Sequence, residues 1–137
     1  MRAVLDVNIL ISALLSPSGA PAQAVLAWQQ GRYELIASPL LLVELRRALA
    51  YPKLRSRIPE ADTEEVTEWL ARSATVVPDP ETPPPIQTTD PDDDYLVALA
   101  ANQGAVLVSG DRHVLALADS MPVRSCAEFL ALLASSD

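Results

Sequence analysis

The sequence predicts an α/β fold, a three-layer α/β/α sandwich around a mostly parallel sheet of four or five strands. Short apolar runs of strand length alternate with longer segments of helical periodicity along the whole chain. No hairpin signal or internal repeat interrupts the alternation, which is typical of helices that connect parallel strands. Half of the 137 residues are apolar, enough for one ordinary core. We therefore expect residues 1–137 to form a single domain.

The first half of the chain has clear boundary signals for its strands and helices. An apolar run ends at Asp6, and the helix after it is broken by Ser16-Pro17-Ser18-Gly19. Gly31 is a typical helix stop, and Ser38 followed by Pro39 is a strong helix start. The predicted elements are a strand ending at Asp6, helices at 8–15 and 20–30, a strand at 33–37 and a helix at 39–51.

The second half continues the alternation after a basic connector at 53–57. A loop at 78–89 holds five prolines, and Asp90-Pro91 starts a helix that Gly104 ends. The predicted elements are helices at 62–72 and 90–103, a short helix at 113–118, a helix at 127–133, and strands at 75–77, 105–109 and 122–124.

The net charge is −8, which argues against nucleic-acid binding through general positive charge alone. The charge is uneven, because five of the ten basic residues lie between Arg46 and Arg57 and six acids lie between Asp79 and Asp94. The single cysteine, Cys126, allows no internal disulfide and fits a reducing compartment. No secretory signal is visible, and no apolar run reaches the ~20 residues of a membrane span. We expect a cytoplasmic protein without a membrane partner.

Asp6 and Asp111 each follow the last apolar residue of a predicted parallel strand. Open α/β sheets bind ligands outside the carboxyl ends of their strands, so both carboxylates are expected at that edge. Each aspartate also suits the N-cap of the helix that follows it. Asn8 and Ser109 stand beside the two acids, where they would either cap a helix or orient a carboxylate and a bound water.

Glu44 and Asp93 are further candidate acids on predicted helices. Glu44 lies on a helix with few other polar positions, and a surface pair with Arg47 is its alternative role. Asp93 lies on the apolar face of the helix that starts at Asp90. Its alternative role is a capping box with Asp90, and acids at a helix start also interact favourably with the helix dipole.

The combination of acids without cysteine or clustered histidine suits Mg²⁺ or Mn²⁺ better than Zn²⁺. His113 is the only histidine and cannot form a zinc site alone. No glycine-rich dinucleotide or P-loop motif is present. An aspartyl-phosphate phosphatase would need an acid where Asn8 stands. A receiver domain would need a lysine late in the fold, whereas the only lysine is Lys53.

Taken together, these motifs resemble a PIN domain, the ribonuclease fold of VapC-like toxins. The matching residues are Asp6-Val7-Asn8, Glu44, the helix start Asp93-Asp94-Tyr95-Leu96, and Val108-Ser109-Gly110-Asp111. Each motif is weak alone, but four in this order on these elements are fairly specific. Val7 is a departure, because the family usually has threonine there. The spacing to Asp111, with Gly104 between, favours Asp93 over Asp92 as the third acid.

The resemblance implies a metal-dependent endoribonuclease whose Mg²⁺ or Mn²⁺ ligands are Asp6, Glu44, Asp93 and Asp111. The ions in such sites activate water and offset charge on the leaving oxygen. Asn8, Ser109 and Asp92 would support the ligands. The resemblance further implies the toxin of a type II toxin–antitoxin pair, acting as a homodimer and inhibited by a small antitoxin protein that covers the acidic site.

RNA contact is expected from the basic segment that follows the third helix, through Arg46, Arg47, Lys53, Arg55 and Arg57. A solvated helix end and linker is the alternative interpretation of this segment. A second class of function also stays open, namely a PIN-like module that binds RNA or protein without cleaving. The presence of all four acids favours the enzyme, whereas the overall acidity together with the short basic segment keeps the binding module open.

Overall fold

The computed structural model describes residues 1–81 and 94–135. In these residues five parallel strands form one sheet in the order β3-β2-β1-β4-β5. The strands are β1 (Arg2–Leu5), β2 (Glu34–Ala37), β3 (Thr75–Val76), β4 (Val106–Val108) and β5 (Val123–Arg124). The predicted parallel sheet is confirmed, and each strand lies where the sequence placed it.

Eight helices are present in the described ranges. They are α1 (Val7–Leu15), α2 (Ala20–Gln29), α3 (Pro39–Leu49), α4 (Pro52–Arg55), α5 (Glu60–Ser73), α6 (Asp94–Gln103), α7 (Arg112–Leu115) and α8 (Cys126–Ser135). The basic connector was predicted without structure, but it contains α4, because Pro52 at the first helical position starts a turn rather than only ending α3. The predicted helix start at Asp90 and residues 82–89 of the predicted proline-rich loop lie outside the described residues.

Helices cover both faces of the sheet, as a three-layer sandwich requires. Right-handed crossovers place the connections that run from β1 through β2 to β3 on one face. The connections through α6 and α7 run in the opposite direction along the sheet and therefore lie on the other face, with α6 packed against β1 and β4. Ala3, Val4 and Leu5 of the central strand are fully buried because both of its faces are covered.

The helix ends follow the local signals in the sequence. Asp6, Ser38 and Asp111 are the N-caps of α1, α3 and α7, and each side chain accepts a hydrogen bond from the first turn of its helix. Gly31 and Gly104 follow α2 and α6 with φ of +77° and +58°, a left-handed conformation that glycine adopts without a Cβ penalty. These caps determine where each strand stops and where the next side chain emerges.

No single helix in residues 1–81 and 94–135 is long and apolar enough to cross a membrane. The pair α1 and α2 passes the length and composition test only together, with a bend of 99° between them. Both helices contribute buried residues to the core, among them Ile9 and Leu10 of α1 and Ala24 and Ala27 of α2.

Candidate active site

Asp6 and Ser109 are neighbours at the carboxyl edge of the sheet. The register pairs Leu5 of β1 with Val108 of β4, and the backbone N–H of Asp6 continues the ladder with a 2.9 Å hydrogen bond to the carbonyl oxygen of Val108. The strand order reverses between β1 and β4, because β2 and β3 extend the sheet on one side and β5 on the other. In open α/β sheets this reversal opens a crevice that serves as the ligand site.

The hydroxyl of Ser109 joins the two predicted aspartates. Its Oγ donates a 2.8 Å hydrogen bond to Oδ2 of Asp6 and accepts a 3.0 Å hydrogen bond from the backbone N–H of Asp111. Asp111 also accepts a 2.7 Å hydrogen bond from the backbone N–H of His113. Asp6 and Asp111 therefore cap their helices and also lie at one crevice, so the capping role does not remove them from the edge where a ligand is expected.

The second oxygen of Asp6 is held much more loosely than the first. Oδ1 accepts from the backbone N–H of Asn8 at 3.4 Å, which is long for such a hydrogen bond. Asn8 is exposed, and the hydrogen bond that it donates to Asp6 comes from its main chain. Oδ1 is thus the oxygen of Asp6 that is more available to a ligand.

Burial raises the pKa of Asp6 above its ordinary value, because only 6% of the residue is exposed. The hydrogen bonds from Ser109 and Asn8 lower the pKa, and the nearby charge of Asp111 raises it. Within the described part of the chain, no arginine or lysine forms an ion pair with Asp6 or Asp111. A buried carboxylate beside a second carboxylate is an arrangement that a bound cation would stabilise.

Hard oxygen donors of this kind fit Mg²⁺ or Mn²⁺. Asp6 and Asp111 supply carboxylate oxygens, and Ser109 holds one of them in a fixed orientation. Among residues 1–81 and 94–135, no three acidic, histidine or cysteine side chains lie close enough together to hold a metal ion. The described residues therefore supply part of a ligand set. Asp92 and Asp93 lie outside them, so the predicted four-acid set stays a prediction.

Glu44 lies on α3, the helix that follows β2. Its side chain is 36% exposed, and Oε1 forms a 3.1 Å ion pair with Arg47 one turn later. This is the surface pair that the sequence offered as the alternative to metal binding. The pair is weak at such exposure and would not prevent Glu44 from binding a cation. Among the described residues, however, Glu44 does not join Asp6 and Asp111 in a three-ligand cluster, so its metal role stays a prediction.

Comparison with known proteins identifies the family. A family model described as PIN domain matches residues 2–113, which include Asp6, Glu44 and Asp111. The chain belongs to the PIN domain family. PIN domains are generally nucleases, that is hydrolases, and they generally use divalent metals.

Relatives of this PIN domain span the chain almost completely. The uncharacterized protein MJ1680 of Methanocaldococcus jannaschii is 26% identical over 119 residues, which cover 87% of this chain and 76% of that protein. The crystal structure of PAE2754 from Pyrobaculum aerophilum matches with a TM-score of 0.58 and 20% identity over 98% of this chain and 99% of that one. A PilT N-terminus domain protein, SSO1118 of Sulfolobus solfataricus, matches with a TM-score of 0.50 and 16% identity over 97% and 93% of the two chains. At these identities the structural matches show the fold alone.

Two residues near the site of this PIN domain were not assigned to it from the sequence. Ser38 is fully buried and accepts a 3.3 Å hydrogen bond from Leu41, and the β1–β2 register places it beside Asp6 on the opposite side from Ser109. Asp79 accepts from the backbone N–H of Leu40 through both oxygens, at 3.1 and 3.3 Å. Together they hold the start of α3. The Ser-Pro helix start was visible in the sequence, whereas nothing local linked Asp79 to a helix 39 residues away.

The five basic residues predicted to contact RNA differ in availability. Arg46 pairs with Glu64 at 3.4 Å and Arg47 pairs with Glu44, so acids already neutralise part of their charge. Arg55 is only partly exposed, and its Nη1 is buried with no hydrogen-bond partner among residues 1–81 and 94–135. The two remaining cations, Lys53 and Arg57, are exposed and form no ion pair in the described ranges.

Proposed function

We propose that this PIN domain is a Mg²⁺- or Mn²⁺-dependent endoribonuclease that hydrolyses phosphodiester bonds in RNA. The observation that carries the proposal is the pair of Asp6 and Asp111, bridged by Ser109 in the crevice where the strand order reverses. Keeping a buried carboxylate beside another acid without a cation costs stability, and such costs are concentrated at functional sites. The match to the PIN family, whose members are generally metal-using nucleases, supports a metal site as the reason for this arrangement.

The residues of the proposed site divide into metal ligands, residues that support them and cations that bind the substrate. Asp6, Glu44, Asp93 and Asp111 would hold the metal, with Asp92 as a supporting acid. When bound, the metal supplies a Lewis acid that activates water and stabilises charge on the leaving oxygen. Ser109 holds Oδ2 of Asp6 through a hydrogen bond, which would leave Oδ1 as the oxygen that binds the metal. The exposed cations Lys53 and Arg57 would hold the phosphate backbone of the substrate.

RNA cleavage by the purified full-length protein in Mn²⁺ tests the proposal. Asp6→Asn, Asp111→Asn, Glu44→Gln and Asp93→Asn are each expected to reduce the rate at least ~100-fold, because even partners of metal ligands contribute about 10–100-fold. Asp119→Asn is the matched control, since Asp119 is an exposed aspartate that follows α7. Equal cleavage by Asp6→Asn would identify a contaminating nuclease and contradict the proposal.

A PIN domain that binds RNA or protein without cleaving is the second candidate. It is favoured by the lack of a three-ligand metal cluster in the described residues and by the net charge of −8. RNA binding by the wild type without any Mn²⁺- or Mg²⁺-dependent cleavage would support it over the nuclease.

We further propose that the protein acts in the cytoplasm as the toxin of a type II toxin–antitoxin pair. The support is the resemblance to VapC-like toxins and the acidic crevice, which a small antitoxin with a basic segment would neutralise. Expression of the wild type is expected to arrest growth of a bacterial host, and Asp6→Asn is expected to have no such effect. Rescue by a small protein encoded next to this gene would identify the antitoxin. Light scattering is expected to give a homodimer with twice the chain mass of 14.7 kDa.

A further inference from the structure

Arg112 is an exposed cation next to one member of the acid pair in the chain, and the function proposed above leaves it without a role. It is the first residue of α7 and immediately follows Asp111. Consecutive Cα atoms lie ~3.8 Å apart, and an arginine side chain is longer than that. Its guanidinium therefore remains within reach of a strand that crosses the crevice.

The guanidinium of Arg112 is free to bind an anion. The carboxylate of Asp111 accepts from the backbone N–H of His113 and forms no ion pair with Arg112 among the described residues. In the parts of the chain that the structure describes, Arg112 forms no ion pair. Arg124, at the end of neighbouring β5, differs in this respect, since its Nη1 donates a 2.8 Å hydrogen bond to the carbonyl oxygen of Val123.

An acidic site that acts on RNA must also attract a polyanion. The crevice holds two carboxylates within a chain of net charge −8, which opposes RNA binding. Lys53 and Arg57 lie in the connection between β2 and β3, whereas Arg112 lies in the connection between β4 and β5, immediately after Asp111. Arg112 is thus the exposed cation that directly follows a carboxylate of the crevice, where it would offset part of the repulsion between the acids and an RNA strand.

Resting on the proposed function, we infer that Arg112 is a positioning residue that binds a phosphate of the RNA strand next to the scissile one. The planar guanidinium matches two phosphate oxygens, which fixes the strand more precisely than a lysine ammonium does. A contact beside the cleavage point sets the register of the strand over Asp6 and Asp111. The residue determines substrate placement and takes no part in the bond-breaking step.

Binding of a short unstructured RNA tests this inference in the full-length Asp6→Asn protein without divalent metal, where no cleavage consumes the probe. Adding Arg112→Ala is expected to raise the Kd about tenfold, as for loss of a charge-assisted hydrogen bond. It should also reduce the slope of log K against log salt by about 0.7, the value for one phosphate of a single strand. Arg112→Lys keeps the charge but loses the planar guanidinium, so its Kd is expected to lie between those of the protein with Arg112 and of Arg112→Ala.

Arg72→Ala is the matched control for Arg112→Ala. Arg72 is exposed on the last turn of α5, close to the start of β3. β3 is the outer strand on the side of the sheet away from β4 and β5. The Arg72→Ala substitution should leave both the Kd for RNA and the slope of log K against log salt unchanged. In the chain with Asp6 intact, Arg112→Ala is expected to raise KM for RNA about tenfold with little change in kcat.

The outcomes separate this inference from the proposed function. Unchanged RNA binding by Arg112→Ala, or an equal loss with Arg72→Ala, overturns the inference while cleavage by the wild type still supports the nuclease. Failure of the wild type to cleave RNA in Mn²⁺ contradicts the nuclease, and the binding measurements still decide the role of Arg112. Failure of the Asp6→Asn protein to bind RNA overturns the inference directly.

Discussion

Ser109 Oγ donates a 2.8 Å hydrogen bond to Oδ2 of Asp6, although 103 residues separate the two along the chain. The contact exists because β1 and β4 are parallel neighbours whose carboxyl ends meet in register. The same hydroxyl accepts from the backbone of Asp111 and so links both acids of the proposed PIN site. The geometry of Asp6 is therefore set by a residue that is not itself an acid.

Ser109→Ala is expected to destabilise the protein by about 1–2 kcal/mol, because it leaves Oδ2 of Asp6 and the N–H of Asp111 without a partner. It also removes a hydrogen bond that lowers the pKa of Asp6, so metal binding should shift to higher pH. Urea unfolding measures the first effect and Mn²⁺ titration at several pH values the second. Ser12→Ala, an exposed serine on α1, is the control. A stability equal to that of the wild type would show that Ser109 does not hold the site.

Asp6→Asn is expected to stabilise the protein at neutral pH by on the order of 1 kcal/mol, as is common when a functional group is removed. The pKa of Asp6 is higher in the folded protein than in the unfolded chain, so the folded state binds more protons between the two values. The stability that Asp6 contributes is complete below the unfolded pKa and is lost as the pH rises through the folded pKa. Thermal melts from pH 4 to pH 8 should therefore show a flatter stability curve for Asp6→Asn than for Asp119→Asn. A constant difference between the variants at every pH would contradict this origin.

Millimolar Mn²⁺ is expected to raise the melting temperature at pH 7.5 and to raise it by less as the pH is lowered. Burial and the charge of Asp111 raise the pKa of Asp6, so protons compete with the metal for this carboxylate more strongly than for an ordinary aspartate. Stabilisation should follow mass action, about 2.7 kcal/mol at 100 times the Kd. Asp6→Asn should abolish the response at every pH, whereas Asp119→Asn should retain it. A melting temperature that Mn²⁺ does not change at pH 7.5 would contradict the proposed metal site.

Thr63→Val is expected to stabilise the protein by about 1 kcal/mol, because Oγ1 of Thr63 is buried without a hydrogen-bond partner in the described structure. Thr67 lies one turn later on α5 and is also buried, but its Oγ1 donates a 2.7 Å hydrogen bond to the carbonyl oxygen of Thr63. Thr67→Val should therefore destabilise by about 1 kcal/mol. Urea unfolding of both variants makes the comparison, and a loss of stability in Thr63→Val would reveal a hydrogen bond to that hydroxyl.

Reversing the charge of Lys53 and Arg57 together is expected to weaken RNA binding about tenfold or more and to lower its salt dependence, since both side chains are exposed and free of ion pairs in the described ranges. Reversing Arg46 and Arg47 should have a smaller effect, because Glu64 and Glu44 already neutralise them. Fluorescence anisotropy with a labelled RNA compares the pairs. An equal effect of both reversals would mean that RNA displaces the ion pairs. Arg55 is unsuitable for this test, since a buried carboxylate there would disturb the fold.

Local signals were sufficient to predict most of the secondary structure. Strand and helix periodicity, the Ser38-Pro39 helix start and the glycines that end α2 and α6 all act over a few residues. The turn of α4 was missed because a single helical turn has almost no periodicity to detect. The carboxylates Asp6 and Asp111 were identified because each follows a strand that is apolar to its last residue.

The sequence of this PIN domain thus specified its alternating elements and the acids at their ends, because both depend on near neighbours in the chain. The tertiary structure alone decided which of those ends meet. Strand order brings Ser109 to Asp6 and Asp79 to the start of α3, and helix packing neutralises Arg46 while it buries part of Arg55. These relationships join residues that are distant in sequence, and they follow from how crossovers order the strands rather than from any local pattern.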